Sequence, residues 1–258
     1  MKAFVCLSVA FSTWNILWSM GALDTSEAQR ELPALDRAAL EMAKKAGAEE
    51  VVALGWVSAA DESVFRQALA FGANRAFRIA QPLADEAAVD PLVVAGGLAE
   101  VISKVAGAPG AGDEPVKVLV FCGQASAEYG RGAVGPMLAE LLGVPCVTGA
   151  RSLEGGAGGL TVQAWEDDAL VTYRIEGPAV VTVGPAAPAP GKPNMLAAAK
   201  AMKAPIETVE VSPRAPVVKA RGVVSNEQKR RAREPITGSN VAESVQILLG
   251  RLRERRVV

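Results

Sequence analysis

The sequence predicts an α/β fold: a mainly parallel sheet with helices on both faces, extended by an antiparallel hairpin and by a C-terminal arm that ends in a helix. Three observations predict it. Short β-rich runs alternate with stretches of helical periodicity through residues 1–150. Two alternating runs separated by acidic turn residues follow, and beyond Val211 sustained periodicity is lost until the final helix. Half of the 258 residues are hydrophobic, and 27 Lys plus Arg balance 28 Asp plus Glu, so the chain can bury a sizeable core.

Taken in order, the strand candidates of the first part are AFVCLSV, EEVVALGWV, RAFRIA, VKVLVF and VPCVTGA. Lys2 followed by AFVCLSVAFSTWNILW has the outline of a signal peptide. Ser8, Ser12, Thr13 and Asn15 interrupt the apolar run, however, and a buried first strand is the preferred reading. Between the strands, LDRAALEMAKKAG repeats apolar positions at helical spacing and ends at a glycine. DESVFRQALAFG opens on an acidic cap and ends at Gly72, and a third helix is expected from Ala88 to Val105 with Pro91 in its first turn. Strands separated by helices require parallel pairing with crossovers.

LTVQAWE and ALVTYRIE then form the hairpin, with PAVVTVG as a return strand, over residues 160–184. GPAAPAPGKP is a loop leaving the sheet, NMLAAAKAMKA a short helix, and VAESVQILLGRLRERR an amphipathic closing helix. The expected organisation is a domain over residues 1–210 and an arm over residues 211–258 that docks on a partner subunit. That arm holds an uneven charge: Arg214 to Val258 carries eleven basic residues against four acidic ones. No aromatic residue interleaves with KRRAR at 229–233, so a partner-facing surface is favoured over nucleic acid. No segment reaches the roughly 20 consecutive apolar residues of a membrane span.

The sequence contains no histidine, which excludes Ser-His-Asp and Cys-His nucleophile systems and His-ligated metal sites built from this chain alone. Cys6, Cys122 and Cys146 are odd in number and set among apolar residues, the pattern of buried reduced thiols in a cytoplasmic protein. Glu166, Asp167 and Asp168 fall at a hairpin tip, where solvation is expected, and the four tryptophans are too scattered to define a stacking platform. The informative stretch is VKVLVFCGQASAEYGRGAVGPMLAELLGVP, in which a strand, a Gly-rich loop and a helix follow one another. Gly130, Gly132 and Gly135 satisfy GxGxxG, but the loop is long and the acidic residue expected after a second strand is missing. Glycines that let the backbone approach an anion, amides at a helix N-terminus and the charge of Arg131 point to a phosphate; a simple tight turn is the alternative.

These residues resemble the electron transfer flavoprotein beta subunit family. DESVFRQALAFGANRAFRI is similar to a family stretch through Arg66, Ala68, Leu69, Ala70, Gly72, Ala73, Arg75 and Ala76, with Asn74 in the place of an Asp. Upstream, Asp36, Ala39, Leu40 and Glu41 match; downstream, Gly123, Gln124, Ala125, Val134, Gly135, Pro136, Ala139, Glu140, Leu142, Gly143 and Pro145 follow the family's nucleotide loop and helix. PAVVTVG, KPNMLAAAKAMKAPIETVEV and the closing helix occur in the family's order, so the resemblance covers nearly the whole chain.

The resemblance implies a Rossmann-like domain in a heterodimer with an alpha-like subunit, an FAD shared with that subunit, and AMP or a second FAD in this one. It implies electron transfer from a flavin dehydrogenase donor to a quinone reductase or other acceptor, with no catalytic side chains here. Joining the positions that match the family to those of the Gly-rich loop, the expected cofactor set is Cys6, Gly123, Gln124, Ala125, Glu128, Gly130, Arg131, Gly132, Ala133, Val134 and Gly135. Lys192, Met195 and Leu196, within a recognition loop over residues 185–205, are the partner-binding set. The chain departs from the family at several of these places: the loop between Ala125 and Val134 is slightly longer, and Glu128 alone represents an acidic pair. Pro33 replaces an Asn, Ser8 a basic residue and Lys192 a Leu, and an Arg-Tyr pair before it is absent. A stand-alone adenine-nucleotide sensor and a scaffold with an empty nucleotide site are the rival readings.

Overall fold

The computed structural model describes residues 1–12, 16–19, 22–80, 90–106, 118–127, 130–156, 159–188, 191–212, 214–218 and 235–256. They belong to two compact units, Met1–Gly222 and Val223–Val258.

The first unit begins with β1 (Lys2–Leu7), followed by two small ribbons that periodicity does not disclose. One pairs β2 (Ala10–Phe11) with β5 (Arg30–Glu31); the other pairs β3 (Leu17–Ser19) with β4 (Ala22–Asp24). Helix α1 (Ala34–Lys45), β6 (Glu50–Gly55), a 3-10 turn (Ala59–Asp61), α2 (Ser63–Ala70), β7 (Arg75–Ile79), α3 (Pro91–Ala106) and β8 (Val118–Gly123) complete the alternating part. Next come α4 (Val134–Leu142), β9 (Cys146–Gly156), β10 (Gly159–Glu166), β11 (Ala169–Ile175), β12 (Ala179–Val183), α5 (Met195–Lys203) and β13 (Glu207–Val209).

Nine of these strands form one sheet in the order β11-β10-β9-β12-β8-β1-β6-β7-β13. Pairing is parallel from β9 through β12, β8, β1, β6 and β7 to β13, and antiparallel in the β9-β10-β11 extension. The segment PAVVTVG is not placed against the hairpin strand before it. It returns as β12 between β8 and β9, where all five of its residues are buried and an apolar strand is required. The edge strand β13 is another addition, since its three residues are too few to leave a period.

Side-chain alternation divides the core between the two faces of the sheet. Val5, Val51, Ala53, Phe121 and Val181 pack on one face with Leu40 of α1 and Phe65 of α2. Phe4, Val52, Leu54, Val120 and Val180 pack on the other with Ile102 of α3 and Leu138 of α4. The first part of the N-terminal apolar run, Lys2–Leu7, thus supplies the strand at the middle of the core.

Residues 210–212 and 217–218 are tied to α3 and its approach. Glu100 accepts from the Ser212 amide at 2.9 Å, Lys104 donates to the Glu210 carbonyl at 2.8 Å, and Asp90 accepts from the amides of Val217 and Val218 at 2.7 and 3.0 Å. In the second unit, α6 (Val241–Glu254) is capped by Asn240, which accepts from the Glu243 amide at 2.9 Å. This helix buries none of its residues and exposes Val241, Val245 and Leu248 at helical spacing. The basic segment KRRAR lies outside the described residues.

Candidate functional site

From β1 the chain passes to β6 and β7 on one side, then crosses to β8 on the other, so the order of the sheet reverses between β1 and β8. The carboxyl ends of two strands that diverge in this way leave a crevice for a ligand. A cavity of about 530 Å³ lies there, within the size range of small-molecule sites.

Eight residues of the cofactor set line it: Cys6, Gly123, Gln124, Ala125, Arg131, Gly132, Ala133 and Val134. Gly130 and Gly135 are not among the lining residues, and Glu128 lies outside the described residues. The loop is shaped by its backbone. The Gln124 amide donates to the Val183 carbonyl at 2.9 Å, and the Gly130 amide donates back to the Ser126 carbonyl at 3.0 Å. Gly132 takes a φ of +65°, a conformation disfavoured for residues with a Cβ, and a Cβ there would approach the Gln124 carbonyl at 3.2 Å. Helix α4 begins directly after this loop, and no side chain caps its first amides. Gly135 has a packing role: a Cβ on it would overlap Thr182 Cγ2 and stand 3.0 Å from Cys122 Sγ, so it lets α4 seat on the sheet.

The remaining wall was not legible from spacing. Phe11 and Asp61 line it, and Arg30 holds them together by bonding Asp61 at 2.9 Å while lying over the Phe11 ring. Trp56 and Arg78 come from the ends of β6 and β7, and Pro91, Val94 and Leu98 from α3. Of the scattered tryptophans Trp56 lines the cavity, and Gly97 makes the room for it, since a Cβ at Gly97 would overlap the Trp56 ring.

Asp36 is the other residue missed as a site candidate, although it belongs to the family pattern. It lines the cavity with only 4% of its surface exposed. Its carboxylate accepts from the Ser8 amide at 2.7 Å, from the Ser8 hydroxyl at 2.9 Å, and from the Gly123 amide. Burial pushes its carboxyl up to about 6 against the lowering effect of these donors. Burial likewise pushes the Cys6 thiol up to about 12 and raises Cys122 well above the ordinary range, so both lie beside the cavity as neutral thiols. The three cysteines are free, Cys146 being half-buried. Among the described residues no group of three or more His, Cys, Asp or Glu converges to hold a metal ion, and no helix is long and apolar enough to cross a membrane. Glu166, Asp167 and Asp168 are exposed at the β10-β11 turn.

Lys192, Met195 and Leu196 lie away from the cavity lining, at the start of α5. Asn194 caps this helix, accepting from the Ala197 amide at 2.7 Å. Arg66 of α2 donates to the carbonyls of Ala201 and Ala204 while its other nitrogen bonds Glu62 at 2.6 Å. A cation on the last carbonyls of a helix satisfies groups that have no partner inside it. The helix is therefore held by its end, and Met195, Leu196 and Met202 remain 90%, 67% and 68% exposed.

The electron transfer flavoprotein domain family matches residues 21–214, which includes the Gly-rich loop, β12 and α5. The chain belongs to the electron transfer flavoprotein family. Its similarity runs to beta subunits: the electron transfer flavoprotein subunit beta of Bradyrhizobium diazoefficiens is 30% identical over 168 residues, 65% of this chain and 62% of that protein. The subunit beta of Syntrophomonas wolfei subsp. wolfei is 28% identical over 170 residues, 66% of this chain and 62% of that protein. The matched stretch thus spans less than two thirds of either electron transfer flavoprotein subunit.

Proposed function

We propose that this chain is the beta-type subunit of an electron-transferring heterodimer, with an adenine nucleotide in the cavity between the ends of β1 and β8. A single observation carries the reading: eight residues nominated from the Gly-rich stretch and the first strand line one cavity at the reversal point of a sheet whose family is electron transfer flavoprotein. The residues suit the group. Gly132 keeps the loop backbone free of a side chain, the first amides of α4 favour a phosphate, and Arg131 lines the same wall. Trp56 and Leu98 offer apolar surface to a base. The nucleotide is AMP or a second FAD.

The FAD shared with an alpha-type subunit supplies the redox chemistry when bound, and this chain supplies binding, orientation and partner choice. Met195, Leu196 and Met202, exposed on a helix anchored by Arg66, are suited to receive a flavin dehydrogenase. Lys192 is exposed at the entrance to that helix and favours a donor with an acidic rim. A quinone reductase or other acceptor completes the path.

The test is co-expression with an FAD-binding alpha-type subunit encoded in the same genome, followed by release and identification of every bound nucleotide. The expected outcome is a complex carrying FAD together with AMP or a second FAD. Purification of a nucleotide-bound monomer that ignores the alpha-type subunit overturns the heterodimer and supports a stand-alone nucleotide sensor. A flavin-containing complex in which the cavity holds no nucleotide reduces this chain to a scaffold.

A further inference from the structure

The cavity holds an acid that the nucleotide reading does not use. Asp36 enters from the first turn of α1 and meets the ends of β1 and β8, the two strands that flank the cavity. Through Ser8 it holds the end of one strand, and through the Gly123 amide the end of the other. A Cβ at Gly123 would lie 2.7 Å from an Asp36 carboxylate oxygen, so the close approach depends on that glycine. The donors are two amides and a hydroxyl, none of them a cation.

We propose that Asp36 is a positioning residue that fixes the two strand ends around the cavity and links the binding of an anionic ligand there to the uptake of one proton. The proposal rests on the nucleotide reading. A phosphate brought into the cavity adds negative charge beside a buried carboxylate, and two like charges in a desolvated site favour the protonated form of one of them. The balance is simple: ionised Asp36, a proton from water and the ligand anion give neutral Asp36 and the bound anion.

The charges facing Asp36 are few. Cys6 of β1 and Cys122 of β8 adjoin it as neutral thiols. The lining shared with Asp36 includes Arg131 of the Gly-rich loop, Arg78 of β7, and Asp61, which pairs with Arg30. On α1, Glu41 is engaged by Lys44. On β6, Glu50 sits at the opposite end of the strand; on β9, Arg151 and Glu154 belong to its continuation beyond the parallel pairing, and β12 carries no charged residue. The hydrogen bonds from Ser8 and Gly123 favour the ionised form, but burial outweighs them.

The sign follows. Below a pH of about 6 the free protein already carries neutral Asp36, and no proton is taken up on binding. Above it Asp36 is ionised, binding draws a proton, and affinity falls by up to about tenfold per pH unit until the value in the complex is passed. Calorimetry at about pH 7 in two buffers of different ionisation enthalpy counts the proton directly. The probes are the methyl ester of AMP, a phosphodiester whose own charge is constant over this range, and adenosine.

Net uptake approaching one proton with the ester, little with adenosine, and loss of that difference in Asp36→Asn is the expected result. Uptake unchanged in a folded Asp36→Asn variant, or pH-independent ester binding by the unmodified protein, overturns the linkage while leaving the nucleotide reading intact. Should the variant not fold, the measurement on the unmodified protein alone decides. Failure of both probes to bind at any pH overturns the nucleotide reading and the linkage that rests on it.

Discussion

Gly132 and Gly135 are three positions apart in one motif and have separable roles. The first adopts a positive φ in the loop that lines the cavity, whereas the second lies where α4 meets Thr182 and Cys122. Gly132→Ala strains the loop by about 1 kcal/mol and leaves the helix seat untouched. Gly135→Ala drives a methyl group against β12, and relief of that overlap costs about 1–3 kcal/mol. Thermal unfolding and adenine-nucleotide titration of both variants therefore give opposite rankings: Gly132→Ala loses more affinity, Gly135→Ala more stability. Equal effects on both quantities would mean that the loop and the helix seat move as one. Spacing alone shows three glycines and a GxGxxG pattern, and it cannot tell a packing glycine from a cavity glycine. The difference arises from which strand stands behind each residue, a matter of sheet order.

At the scale of elements, the segments with a repeating pattern were legible. The helical periodicity of α1 and α2 and the apolar runs of β1, β6 and β8 each extend far enough to bury a face. The β2-β5 and β3-β4 ribbons and β13 were hidden because two or three residues define no period. The position of β12 was hidden for another reason: strand order depends on partners far apart in sequence. Asp90 belongs with these long-range features, since it caps α3 through the Leu92 amide and also receives Val217 and Val218. The Val218 amide, with Leu92, Val217 and Val93, holds its carboxyl below the ordinary value despite burial. A depressed value means that the folded state binds fewer protons. The stability it confers is complete above the unfolded carboxyl value of about 3.9 and is lost as pH falls through the folded one. The hydrogen-exchange protection factors of the Val217 and Val218 amides should therefore fall in acid before those of the sheet, and Asp90→Asn should lower them at neutral pH. Protection at these amides that follows the sheet at every pH would remove Asp90 as their anchor.

Over the whole molecule, the cavity and the exposed apolar side chains of α5 are built from different elements. The cavity opens at the reversal point of the sheet, and α5 presents its apolar side chains elsewhere in the first unit. The second unit carries α6, whose exposed Val241, Val245 and Leu248 are accompanied by Arg251, Arg253, Arg255 and Arg256. An apolar stripe with a basic end suits a partner surface that is apolar at its centre and acidic at its rim. Removal of residues 223–258 deletes this unit and leaves Met1–Gly222, which is compact by itself, together with the Asp90 anchor of Val217 and Val218. The truncated chain should therefore keep its unfolding midpoint and nucleotide affinity while its affinity for the alpha-type subunit falls by roughly tenfold or more, the effect of about 1.4 kcal/mol of lost contact. Loss of these arginines should also flatten the salt dependence of association, because exposed ion pairs are screened over about 10 Å at 0.1 M salt. Measured at two ionic strengths, equal partner affinity with and without the arm would assign association to the first unit alone.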